Sequence, residues 1–176
     1  MVTKEKASEF FLSLVEENKG ILYKVANAYC KDADDRQDLI QEILVQLWKS
    51  YEKYDDQYKH STWIYRIALN VAISMYRKEH RRKKIANPIT DNILYLADIS
   101  YNNELDIKVG LLHQFISELK ELDKALMLLY LEQKSHKEIA EIMDISETNV
   151  ATKVSRIKEK LKKKFSQTQN QSQWKI

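Results

Sequence analysis

Residues 61–84 read STWIYRIALNVAISMYRKEHRRKK. Wound at 100° per residue, Ile64, Ile67, Ala68, Val71 and Met75 share one sector, and Tyr65, Leu69, Ala72 and Tyr76 share the next. A helix with two apolar sides packs against more than one neighbour. The remaining sector collects Trp63, Arg66, Asn70, Ser74, Arg77 and Arg81, with Ile73 its one aliphatic member. A core does not need an indole and an amide in line with three guanidiniums. Phosphates and unstacked bases could use all of them. The stretch before it, DLIQEILVQLWKSY at 38–51, is also helical, and the two are joined by the polar turn EKYDDQYKH.

The rest of the chain fits an all-α protein of two small domains. Its 176 residues hold two glycines and one proline, too little turn chemistry for a β fold. No alternating run occurs, and no run of eighteen apolar residues, so no direct membrane insertion is expected. Cys30 is alone, which excludes an internal disulfide and suits a reducing, cytoplasmic setting. The four histidines are too scattered for a metal site, and no metal or other cofactor is expected. Net charge is +3, but its distribution matters more. By count, residues 1–60 carry about −3 and 85–152 about −7, against about +5 in 75–84 and about +7 in 153–176. Two basic blocks, each continuing an apolar-faced helix, favour nucleic acid as the partner.

In chain order, residues 1–7 read as frayed, and 10–30 as one bent helix or two short ones broken at Gly20. Asp34 or Asp35 is expected to cap the helix at 38–51. That helix buries Leu39 or Ile40, Ile43, Leu44, Leu47 and Trp48. Its other face shows Asp38, Gln41, Glu42 and Lys49 around Val45, which suits docking of a helix with basic side chains. Ser61 is expected to cap the next helix, through about Arg82. Periodicity is lost over 85–103, where Asn87-Pro88 breaks the chain, and this segment reads as a linker. Residues 104–119 form a helix burying Leu105, Val109, Leu112, Phe115, Ile116 and Leu119, and 123–132 form a short apolar one. Ser135 and Glu138 make a capping box for a helix burying Ile139, Ala140 and Ile142. A tight turn at 144–146 leads to a last helix with the stripe Val150, Val154, Ile157, Leu161 and Phe165. Residues 135–164 thus have helix-turn-helix form. Asn149, Thr152, Lys153 and Arg156 are placed to reach bases or phosphates. The polar tail 166–176 is expected to be disordered.

DLIQE at 38–42 followed by LW, then HSTWIYRIALNVAISMYRK, resembles the second conserved region of bacterial sigma factors, most closely the small extracytoplasmic-function group. LDKALMLLYLEQKSHKEIAEIMDISETNVATKVSRIKEKL resembles their fourth region. The two stretches cover most of 10–165, in the family's order. The resemblance implies region 2 at 8–84, a linker at 85–103 and region 4 at 104–165. It implies a dissociable subunit that directs core RNA polymerase to promoters and helps open them, and an anti-sigma factor as its regulator. Asp38, Gln41 and Glu42 match the motif that docks on polymerase. Trp63, Arg66 and Asn70 match the motif near the minus-10 element. The implied minus-10 surface adds the base-pocket loop, Asp55, Asp56, Gln57, Tyr58, Lys59, His60 and Ser61, and further along the helix Ser74, Arg77 and Arg81. The implied minus-35 surface is Thr148, Asn149, Ala151, Thr152, Lys153, Arg156 and Lys160. This chain departs from the family at Lys120-Glu121-Leu122, where Leu-Pro is usual, and at Thr148-Asn149-Val150, where Gly-Thr-Val is usual. Ala151 also stands where a basic residue is common, and Ser74 where Asp is common. The competing reading is a helix-turn-helix regulator acting on duplex DNA without polymerase. An enzyme is disfavoured, because no paired carboxylates with a His, Gly-rich phosphate loop or metal spacing occurs.

Overall fold

The structure, a computed structural model, describes residues 4–54, 57–86 and 104–172. Its elements there are seven α-helices: α1 Lys4–Tyr29, α2 Ala33–Tyr51, α3 His60–Ala86, α4 Glu104–Ser117, α5 Glu121–Leu131, α6 His136–Met143 and α7 Glu147–Ser172. Helices α1 to α3 pack on one another. Leu14, Leu22 and Val25 of α1 meet Leu39, Ile43 and Leu47 of α2 and Ile64, Ala68 and Leu69 of α3 in a buried core. Helices α4 to α7 bury Phe115, Leu126, Leu129, Ile139, Ile142, Val150, Val154 and Ile157. Each fully buried aliphatic side chain contributes about 1.5–3 kcal/mol.

Several expectations need correction. Helix α1 is unbroken and takes in 4–7, which had read as frayed. A Cβ at Gly20 would meet nothing within 4 Å, so no packing constraint marks that position. The cap of α2 is Asp32, not Asp34 or Asp35: its carboxylate accepts from the Asp34 amide at 2.9 Å, and the helix begins at Ala33, ahead of the expected 38. Helix α3 begins at His60, which puts Ser61 inside the first turn rather than at the cap. Trp48 is 47% exposed. It lies edge-on to Phe11 at 4.9 Å and parallel to Tyr51 at 6.4 Å, which leaves its outer face open. Val109 is 45% exposed, because α4 turns that side outward. Helix α5 starts at Glu121, ahead of the expected 123. Helix α7 runs through 166–172, which had read as disordered tail. Nothing in SQTQNQS is a Gly or Pro, so each further residue adds one backbone bond to a helix already nucleated. Most of the expected linker, including Asn87-Pro88, lies outside the described residues.

The capping box of α6 is as expected. The Ser135 hydroxyl accepts from the Glu138 amide at 3.2 Å, and the Ser135 amide donates to the Glu138 carboxylate at 2.9 Å. The turn after α6 does without glycine because Asp144 takes the left-handed conformation, φ 56°. Asp tolerates that region better than most residues.

The two helical groups also touch. Helix α3 packs on α5 and α6, and α1 packs on α5. Arg77 Nε reaches Glu121 at 2.8 Å, Arg66 Nη2 lies 3.5 Å from Asp144, and Lys24 pairs with Glu132. The Tyr29 hydroxyl donates to the Glu121 carbonyl at 2.6 Å. Lys124 of α5 is only 3% exposed, with its ammonium 5.4 Å from the Tyr29 ring centre and 4.9 Å from that of Tyr76.

Candidate nucleic-acid interface

An open groove of about 850 Å³ runs between α2 and α3. Its α2 lip carries Asp38, Gln41, Glu42 and Gln46, and its α3 lip carries Asn70, Ser74 and Lys78. Ile67, Val71 and Met75 line it as well, and all three are half-buried. They had read as one wholly apolar sector; the groove is why they stay partly open. Val45, at 44% exposure, stands on the same lining. Gln46 Nε2 donates to Glu42 at 2.7 Å, which orients that carboxylate. An apolar lining behind an acidic lip fits a helix that presents aliphatic and basic side chains together.

The strip on α3 is exposed or half-exposed from Trp63 through Arg66, Asn70, Ser74 and Arg77 to Arg81; Ile73 alone is buried. At 1.5 Å per residue it runs about 27 Å. Its upper end is aromatic. Tyr54 lies parallel to His60 and tilted against Trp63, with ring centres 5.0 Å apart in both cases. The Tyr54 hydroxyl donates to the Tyr58 carbonyl at 2.6 Å, a bond between two loop residues. Arg66 then lies 5.5 Å over the Tyr58 ring, within cation–π range. Gln57, Tyr58 and Lys59 are exposed at the head of the strip; Asp55 and Asp56 lie outside the described residues. Lower down, Arg77 holds the Glu121 carboxyl below the usual carboxylate range, chiefly through their hydrogen bond. Arg81 Nε donates to the Arg77 carbonyl at 3.3 Å.

On α7, Thr148, Asn149, Thr152, Arg156 and Lys160 are exposed on one side, with Lys153 half-buried beside them. The Ser146 hydroxyl accepts from the Asn149 amide at 3.2 Å and fixes the entry to the helix. The Thr152 hydroxyl donates to the Thr148 carbonyl at 2.9 Å. Ala151 lines a separate, largely apolar groove of about 610 Å³ with Leu112, Met127, Tyr130 and Val154. Sequence periodicity missed Glu121, Lys124, Glu132 and Asp144 as contact residues. Only Lys124 carried a signal, a cation in the run KALMLLYL.

Residues 14–82 match Sigma-70 region 2, and residues 110–161 match Sigma-70, region 4. The chain belongs to the extracytoplasmic-function sigma factors. As a sigma factor it binds core RNA polymerase, recognises promoter elements and promotes their opening. It is similar to the ECF RNA polymerase sigma factor SigM of Bacillus subtilis (strain 168), with 29% identity over 80% of this chain and 86% of the relative. It is also similar to SigV of the same strain, with 28% identity over 89% of this chain and 91% of the relative. Among solved structures, CnrH in complex with the cytosolic domain of CnrY shares the fold at TM-score 0.64 and 17% identity, over 90% of this chain and 89% of that one. The sigma factor RpoE in complex with the anti-sigma factor NepR from Bartonella quintana does so at TM-score 0.66 and 16% identity, over 89% and 94%. No described helix of this sigma factor is long and apolar enough to cross a membrane.

Proposed function

We propose that the α2–α3 groove receives a helix of core polymerase through Asp38, Gln41 and Glu42, while the α3 strip takes the minus-10 element. On this reading 8–84 is the unit that docks and melts, and 104–165 is the unit that reads the minus-35 element. One observation supports the pairing of tasks most directly. Asn70 and Ser74 belong both to the strip and to the groove lip, so a helix docked there lies beside the residues that would hold the bases.

The chemistry follows from charge and stacking. Arg66, Arg77 and Arg81 attract backbone phosphates, a contact that carries no sequence information. Tyr58 and Trp63 offer faces to bases that have left the duplex, each stacked base gaining about 1–3 kcal/mol. These contacts form only with the open strand, so they offset part of the cost of unstacking. Upstream, Arg156 and Asn149 suit guanine and adenine edges, and Lys153 and Lys160 suit phosphates. An anti-sigma factor is the expected regulatory partner, since RpoE, which shares the fold, is bound by one. Polymerase and chromosome put the site of action in the bacterial cytoplasm. A pull-down without a stoichiometric partner under any growth condition would remove the anti-sigma part.

Run-off transcription tests the main reading. Purified chain is added to sigma-free core polymerase on a genomic fragment library, beside the variant Asp38→Ala/Gln41→Ala/Glu42→Ala. Defined transcripts that vanish with the variant are expected. Absent transcripts, together with salt-sensitive duplex binding by the chain alone, would return the site to a regulator that works without polymerase.

A further inference from the structure

We infer that a row of rings from Trp63 to Trp48 continues the α3 strip, and that Phe10 and Tyr51 stack on further bases of the same single strand. The inference rests on the strip being a nucleic-acid surface, and adds to it residues of α1 and α2.

Six rings follow one another at one end of the α1–α3 group. Centre to centre, Trp63 lies 5.0 Å from Tyr54, and Tyr54 lies 5.0 Å from His60. His60 lies 6.2 Å from Phe10, Phe10 6.3 Å from Tyr51, and Tyr51 6.4 Å from Trp48. The rings come from three helices and the loop between α2 and α3, so no single helical period lines them up. Phe11 anchors the far end. It is 6% exposed, with its ring edge-on to Tyr51 at 5.4 Å and to Trp48 at 4.9 Å. Packing the helix ends together accounts for that buried ring. It does not account for Phe10, 54% exposed, or Trp48, 47% exposed. Large apolar side chains left open in a contiguous patch mark an interaction surface.

Continuity and charge identify the occupant. The row joins the strip at Trp63, and the Tyr54 that touches Trp63 also bonds to the Tyr58 carbonyl. A strand with bases on Tyr58 and Trp63 therefore has the row as its neighbour. Lys53 and Lys59 are exposed next in sequence to Tyr54 and His60, but Glu9 and Glu52 are exposed next to Phe10 and Tyr51. The far half thus offers phosphate no net attraction, and suits the uncharged π-faces of bases. A partner helix would want a groove of aliphatic side chains. Leu12, the exposed aliphatic residue nearest to Phe10 in sequence, lies about 160° away from it around α1.

The test assembles the full chain with sigma-free core polymerase. Fluorescence anisotropy reads binding of labelled (dT)6 and (dT)12, with the signal of core alone subtracted. Phe10→Leu removes the ring and keeps an apolar side chain; Phe10→Tyr keeps the ring. Phe10→Leu is expected to weaken binding of (dT)12 about tenfold and to leave (dT)6 as in wild type. Phe10→Tyr should bind both as wild type does. Raising the salt should weaken wild type and Phe10→Leu in parallel, so that their ratio persists, because stacking releases no counterions. Equal binding of (dT)12 by Phe10→Leu and wild type overturns the row, and so does an equal loss on both lengths. A loss with Phe10→Tyr as large as with Phe10→Leu overturns stacking and makes Phe10 a packing residue. Trp63→Leu should weaken both oligonucleotides; if it weakens neither, the strip reading itself fails, whatever Phe10 does.

Discussion

Replacing Lys124 by Met should leave the protein as stable as wild type at neutral pH, or more stable by up to about 1 kcal/mol. Two effects oppose each other at this position. The ammonium gains from the faces of Tyr29 and Tyr76, 5.4 and 4.9 Å away, contacts each worth about 0.5–2 kcal/mol. Against that, the side chain is 3% exposed, and a buried charge costs several kcal/mol. Its titration moves in the direction of the burial cost. Lys124 is held below its ordinary 10.5, first by burial and then by repulsion from Lys31, with Cys30 and Glu121 opposing. Burial and Lys31 therefore outweigh the pull of Cys30 and Glu121 on the charged form, and an uncharged side chain of similar length should fit at no loss. Lys124→Ala is a different perturbation. It deletes the buried stem, at about 0.8 kcal/mol per methylene, so a loss of about 2–3 kcal/mol is expected. The pH dependence has a defined sign. Between the lowered folded value and 10.5 the unfolded chain binds more protons, so stability contributed here rises with pH across that window. Below the folded value both states are charged and the full penalty remains. The advantage of Met should thus shrink as pH rises from 7 toward 10.5. Urea unfolding followed by tryptophan fluorescence at several pH values measures all three proteins. A loss above about 1 kcal/mol for Lys124→Met at pH 7 would overturn this balance, and the tyrosine faces would then outweigh desolvation.

Ser135→Ala should cost about 1 kcal/mol and lower the melting temperature, since it removes one half of the α6 capping box. The same site has an acid limb. The Ser135 amide, and after it the Ser135 hydroxyl, hold Glu138 below the usual carboxylate range. Its contribution is present at neutral pH and is lost as pH falls through the lowered value; melts of Glu138→Gln should not show that loss. Cys30 is half-buried, and burial foremost pushes its thiol up to about 11 from 9.0. Its thiolate fraction at neutral pH is then about a hundredfold below that of a free cysteine. Alkylation by iodoacetamide at pH 7.5 should be correspondingly slow, and a rate equal to free cysteine would contradict the burial.

Local order was legible in the residues. The 3.6-residue period separated the buried sides of α3 from its Trp63–Arg81 strip. The Ser135–Glu138 spacing marked the start of α6, and the Asp38–Glu42 face stood out as acidic. Helix ends were less legible, because Asp32, Asp34 and Asp35 compete for one cap and only the realised hydrogen bond selects Asp32. Exposure of Trp48 and Val109 escaped because a helical face says where a side chain points, not whether a neighbour arrives there.

Sequence alone thus determined the helices, the two-part organisation and the kinds of surface each part carries. All of these depend on contacts within a few turns of one chain segment. Tertiary structure alone decided three things: the α2–α3 groove, the separation of Ala151 from the exposed face of α7, and the pairing of Arg66 and Arg77 with acids 78 and 44 residues away. A groove exists only once two helices are packed side by side. A long-range ion pair is set by where the packed cores bring charges together, and at the surface its energy is too small to leave a pattern in the residues nearby.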